Sequence, residues 1–232
     1  PTFFLGVLER CEDFDDYTIL ISGEELARDL AVAPAMSQGN TIFVRRDSIR
    51  RMLFETMEAW HWRDSPQDAL ARALDAYGWR DGDEGALERM TDGEIEAAVW
   101  HEVGEVMAGR LLGPQWEQTV MEVAGSRQEW VARAVRDHLA DCLITLPALL
   151  ESGPAGALHF YFANLTGLRR ELFPQLTQAY QRWVDDASSK PLQRLVAPAR
   201  EHWLRLAQRL LDEPADRWPV GDDALATLRP AL

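Results

Sequence analysis

The chain has 232 residues, enough for one large domain or a domain with a small appendage, and enough to bury a core without a disulfide or structural metal. Its 38 acidic residues against 24 basic ones leave a formal net charge of −14. A field of that sign repels phosphate backbones and anionic lipid headgroups, so neither nucleic acid nor a membrane surface is expected as a partner.

Lys190 is the single lysine, an arginine bias that points to a GC-rich bacterial genome. Two cysteines, Cys11 and Cys142, suggest a reducing compartment and no disulfide framework. No basic leader precedes the acidic stretch at 12–16, and no uncharged apolar run approaches the roughly 20 residues of a membrane span. A cytoplasmic location is the expectation.

Residues 1–45 read as a segment of mixed or irregular structure. TILIS (18–22) and TIFV (41–44) are β-branched runs that suit a small two-stranded element, and GEELARDLAV between them reads as a short helix ended by Pro34. From 46 to 213 the pattern is that of a main helical domain, mainly all-α, built as a multi-helix bundle. Asp47 or Ser48 caps a helix carrying Ile49, Met52, Leu53, Met57 and Trp60. Ser65-Pro66 starts another that runs to Tyr77. Thr91 and Glu94 have capping-box spacing for a long helix to Leu112, where Gly113-Pro114 stops it and a shorter helix follows to Val123. Ser126 and Glu129 form a second box for a helix to about Leu150. After the ESGPAG break come an aromatic-rich helix, a helix restarted at Pro174, and one interrupted or kinked near Pro198. Residues 214–232 read as a loosely packed tail.

The chemical lead lies on the helix over 95–112. At about 100° per residue, Ile95, Val99, Val103 and Val106 define its apolar arc. Glu102 falls in the middle of that arc, with His101 and Glu105 along its flank. A carboxylate aimed at the core is costly unless it is paired, protonated or bound to a metal. The helix from Ser126 is apolar nearly all round, with Val131, Val135, Leu139, Cys142 and Leu146 on one stripe and Trp130, Ala134 and Ile144 opposite. Into that second side are set Asp137, His138 and Asp141, and His159 follows soon after the next break. Facing helices would then present a mixed imidazole–carboxylate set that suits Zn²⁺, Mn²⁺ or Fe²⁺. In a hydrolytic reading, His101 and Glu105, with one or more of Asp137, His138, Asp141 and His159, ligate the metal. Glu102 is then the catalytic general base for the bound water.

The segment His101-Glu102-Val103-Gly104-Glu105 resembles the HExxH helix of the zinc metalloproteases over these five residues. The first histidine and the adjacent glutamate match, Glu105 stands in place of the second histidine, and no downstream pattern of that family follows. Ferritin-like E-x-x-H pairs are absent, because Ala98 and Val135 stand three before His101 and His138. The His-Asp doublet of the HD phosphohydrolases occurs only reversed, as Asp137-His138.

The same residues admit a structural reading, in which His138 is a hydrogen-bonded border histidine, Asp137 and Asp141 are solvated, and Glu102 pairs with Arg133 or Arg169. Other features read as ordinary. Asp81, Asp83 and Gly85 hint at a calcium loop but suit a capping loop better. Glu12, Asp13, Asp15 and Asp16 form a solvated turn, and Arg45, Arg46, Arg50 and Arg51 line an exposed helix face. His61 between Trp60 and Trp62 suits ligand stacking or an aromatic-packed helix end, and His202 is expected exposed. The nine tryptophans read mostly as core anchors, with a few available for a pocket or a homo-oligomer interface. Three functions stay open: a metal-dependent helical hydrolase, a non-catalytic interaction or scaffold protein with buried ion-pair networks, and a metal-free small-ligand binder that uses the tryptophans and Arg169/Arg170.

Overall fold

The structure is a computed structural model that describes residues 3–30, 32–61, 68–80 and 82–232, with the backbone alone at 60, 61, 222 and 223. The expectations placed on Ser65-Pro66, Asp81 and the side chains around His61 lie outside the described residues.

Both β-branched runs are strands, but the N-terminal element has four strands rather than two: β1 (Phe4–Asp13), β2 (Thr18–Arg28), β3 (Ala35–Gln38) and β4 (Thr41–Arg45), in the order β1-β2-β4-β3. β1 and β2 are antiparallel, β2 and β4 parallel with Thr18 opposite Thr41, and β3 and β4 antiparallel. The stretch after TILIS is therefore not helical up to Arg28. β1 lies alongside it, with Gly6 opposite Glu25 and Phe4 opposite Arg28, and this long-range pairing overrides the helix propensity of Glu-Glu-Leu-Ala. β1 is an edge strand whose register shifts three times between Leu5 and Arg10, and it exposes Leu5, Val7 and Leu8.

Alternation buries Ile19 and Ile21 of β2 and Ile42 and Val44 of β4. Helix α1 (Arg46–His61) packs on β2 and buries Ile49, Leu53 and Met57, spaced one turn apart. The arginines expected on an exposed face are engaged instead. Arg45 is fully buried, pairs with Glu25 and donates to the carbonyls of Val32 and Ala33 at 3.0 and 2.9 Å. Arg46 and Arg50 bind Glu88, at 2.7 and 2.9 Å, and Arg46 also reaches Asp92.

The rest of the chain is mostly helical: α2 (Ala69–Ala76), α3 (Glu84–Leu112), α4 (Pro114–Glu122), α5 (Arg127–Ala140), α6 (Leu146–Glu151), α7 (Ala155–Asn164), α8 (Gly167–Leu172), α9 (Pro174–Asp186), α10 (Lys190–Asp212) and α11 (Asp222–Leu225). Among the described residues no helix is long and apolar enough to cross a membrane. α3 starts at Glu84, not near Thr91. Asp83 Oδ1 caps it by accepting from the Ala86 N–H at 2.9 Å, while Thr91 is buried inside the helix and donates to the Leu87 carbonyl at 2.8 Å. The second box is a true cap: Ser126 Oγ accepts from the Glu129 N–H at 3.4 Å, and the Glu129 carboxylate accepts from the Gly125 N–H at 2.7 Å. The helix it opens is not uniform to Leu150, because a π-helical turn, Asp141–Thr145, separates α5 from α6. Pro147 follows two residues after Thr145; it has no N–H to return to the preceding turn, which favours a local change of hydrogen-bond pattern. α10 continues through Pro198 as one helix. Beyond Pro214 the chain buries Trp218, Leu225 and Leu228.

The chain divides into two compact units. Unit 1 comprises residues Pro1–Val103 and Ser152–Ala163, so it holds the sheet, α1, α2, the first part of α3 and most of α7. Unit 2 comprises Gly104–Glu151 and Asn164–Leu232. In unit 2, α5 packs against α4, α8 and α10, around a core that includes Val131, Val135, Leu139, Trp203 and Leu206.

Candidate functional site

In unit 2 the C-terminal part of α3 lies directly against α5. A Cβ built on Gly104 would stand 2.6 Å from the Ala140 carbonyl oxygen, so only glycine allows this approach. Gly104→Ala should therefore destabilise the protein by about 1–3 kcal/mol in a urea titration, despite the better helix propensity of alanine. An unchanged midpoint would show that the two helices can part freely.

The close approach sets Glu105 beside α5. Its Oε1 accepts from Arg136 at 2.7 Å, and a Glu105 oxygen and an Asp137 oxygen come within 4.8 Å of one another. His101, one turn earlier on α3, brings a ring nitrogen within the same distance of the Glu105 carboxylate. Asp137 is flanked by Arg136 at 3.7 Å and Arg169 at 3.9 Å, and Arg169 also pairs with Asp141. Asp141 is fully buried at the head of the π-helical turn. Glu105, Arg136, Asp137, Arg169 and Asp141 thus form a run of opposed charges in which three carboxylates meet two guanidiniums.

His138 is committed to packing. Its ring stacks on Trp203 with centroids 4.6 Å apart and meets Phe173 edge-on, and Nε2 donates to the Arg169 carbonyl at 2.9 Å. Burial, reinforced by the Arg169 charge, lowers it to about 4, so it is neutral at pH 7. His202 is half-buried rather than exposed, with Nε2 donating to the Leu228 carbonyl at 2.8 Å.

Unit 1 holds the other residues singled out by sequence. Glu102 is buried, at 7% exposure, as its place in the apolar arc requires. His159, on α7, is lowered to about 4 by burial and by the charge of Arg72. The structure thus brings Glu105 and Asp137 near one another, with His101 beside Glu105 on its helix. It gives Asp141 and His138 other partners.

Two residues were missed. Tyr77 lies against two glycines: a Cβ on Gly156 would meet its ring at 2.2 Å, and one on Gly93 its hydroxyl at 2.1 Å. Its buried hydroxyl, and the buried Oε1 of nearby Glu94, have no hydrogen-bond partner among the described residues. Burial pushes Glu94 up to about 8, and burial together with the Glu94 charge pushes Tyr77 up as well. The sequence offers no clear signal for this burial, because Thr91 and Glu94 have the spacing of a capping box and Glu94 lies about 100° from Ile95 on the helical wheel.

The chain belongs to the DUF6866 family, a family of unknown function: the model of its C-terminal domain matches residues 50–230 and that of its N-terminal domain residues 1–45. No curated protein and no solved structure matches the chain.

Proposed function

We propose that the protein binds a divalent transition metal, Zn²⁺, Mn²⁺ or Fe²⁺, through the carboxylates of Glu105 and Asp137 and the imidazole of His101. The observation that carries this reading is the approach of the Glu105 and Asp137 oxygens to within 4.8 Å, with His101 one turn before Glu105. A mixed imidazole–carboxylate donor set is the kind these ions prefer. In the finer form of the proposal the protein is a metal-dependent hydrolase, with the buried Glu102 as general base.

Calorimetric titration of tag-free, EDTA-stripped protein with Zn²⁺ and with Mn²⁺ tests the reading. Uptake of about one ion per chain is expected, weakened at least about tenfold by Glu105→Gln and by His101→Ala. If no ion is taken up, or if Zn²⁺ shifts the thermal midpoint of His101→Ala as much as that of the wild type, the proposal is wrong.

A second reading is favoured by the 2.7 Å pair between Glu105 and Arg136 and by the pair between Asp141 and Arg169: a non-catalytic interaction protein whose polar core is an ion-pair network. Arg136→Gln separates the two. Removing that charge tightens metal uptake if Glu105 is a ligand, whereas a purely structural network loses thermal stability and takes up no metal with either sequence.

A further inference from the structure

Trp130 departs from the expected pattern of α5. The wheel places it with Ala134 on an apolar side, yet its side chain is 62% exposed. It lines a pocket of about 640 Å³ that lies wholly within unit 2. Pockets of roughly 300–1,000 Å³ are the size that encloses small organic molecules. Val220 and Leu225 contribute apolar wall, and Arg127, Arg170 and Glu171 contribute charge.

These charges are not equally available. The Glu171 carboxylate faces Arg229 at 3.8 Å, so its charge is already countered. Arg127 has other interactions of its own. The Arg170 guanidinium makes no ion pair or side-chain hydrogen bond among the described residues, and only its backbone N–H is engaged, with the Thr166 carbonyl at 3.4 Å. Gly167, beside it in the pocket wall, has a φ of 53°, and a Cβ there would meet nothing within 4 Å, so the wall is open at this point. An uncompensated guanidinium in a concave site focuses attraction for an anion. The exposed indole and the apolar wall favour a flat ring. The net charge of −14 favours a monoanion over a dianion.

We propose that this pocket binds a small aromatic carboxylate, its ring against Trp130 and its carboxylate on Arg170. The site is separate from the proposed metal ligands, and its test uses EDTA-treated protein so that the two succeed or fail independently. The probes are 1-naphthoate and its neutral counterpart 1-naphthalenemethanol, titrated into uniformly ¹⁵N-labelled protein while the indole N–H signals are followed by NMR. Trp130→Phe assigns the Trp130 signal by its disappearance. Saturable binding of 1-naphthoate that moves this signal is expected. Arg170→Gln, at an exposed position that leaves folding intact, should weaken binding by about tenfold or more, the loss of one charge-assisted contact. The neutral alcohol should bind the wild type about as weakly as 1-naphthoate binds Arg170→Gln. The proposal is overturned if 1-naphthoate shows no saturable binding, if it moves other indoles and not Trp130, or if Arg170→Gln or the neutral alcohol leaves the affinity unchanged.

Discussion

Replacing Arg169 with methionine is expected to lower the unfolding free energy by about 3–5 kcal/mol, because it removes the guanidinium that pairs with the buried carboxylate of Asp141. Asp141 is fully buried and pairs with Arg169, which also approaches Asp137 at 3.9 Å. The hydrogen bond from His138 goes to the Arg169 carbonyl, so the methionine variant keeps it. Removing both charges, in Arg169→Met with Asp141→Leu, should recover much of the loss, since a buried ion pair replaced by apolar groups of similar size is often near neutral. Urea titrations of the wild type and the two variants decide the matter. A double variant as unstable as the single one would show that Asp141 is held by something other than Arg169.

Glu94→Gln is expected to stabilise the protein at neutral pH and to flatten part of its pH dependence. With a folded pKa of about 8 against an ordinary 4.5, the Glu94 carboxyl binds its proton more tightly in the folded chain than in the unfolded one. Its contribution is therefore fully present below about pH 4.5, declines as the pH rises, and reaches its floor above about pH 8. At pH 7 the difference between wild type and Glu94→Gln should be on the order of 3 kcal/mol. His138 and His159, both lowered to about 4, act in the opposite sense and favour the folded chain increasingly as pH rises from about 4 through 6.5. They are common to both proteins, so the difference between the two stability curves isolates Glu94. A difference that stays constant from pH 4 to 9 would remove the argument.

Burial was more legible in the sequence than partnership. The helical wheel places Glu102 in an apolar arc, and the periodicity of the next helix draws Asp141 and His138 inward; all three are buried. The cations that neutralise such groups leave no periodic trace. Arg169 reaches Asp141 across 28 residues of sequence and Arg136 reaches Glu105 across 31, and neither pairing follows from local spacing. The same limit explains the sheet. Ile19 and Ile21 declare a strand by alternation, but its extension to Arg28 depends on a partner strand whose own pattern is broken by bulges. Local capping signals were ambiguous for a different reason. Ser126 and Thr91 carry similar hydroxyls three residues before a glutamate, yet one caps a helix and the other bonds back to Leu87 inside one. Which of the two occurs depends on where the helix begins, and for α3 that is decided upstream at Asp83.

The irregularity of β1 bears on how copies of this chain behave toward one another. An edge strand offers a row of open backbone donors and acceptors, and beside it this one displays Leu5, Val7 and Leu8 to solvent. A straight strand of that composition would be a template for cross-strand growth. Three register shifts within its first seven residues break the repeat that an incoming strand would need to match. Glu9 and Glu12 interrupt the apolar row, and Arg10 is anchored to Glu96 at 2.8 Å, which ties the strand back to α3. The bulges that hide this strand from a reading of the sequence thus also keep an apolar border from seeding aggregates.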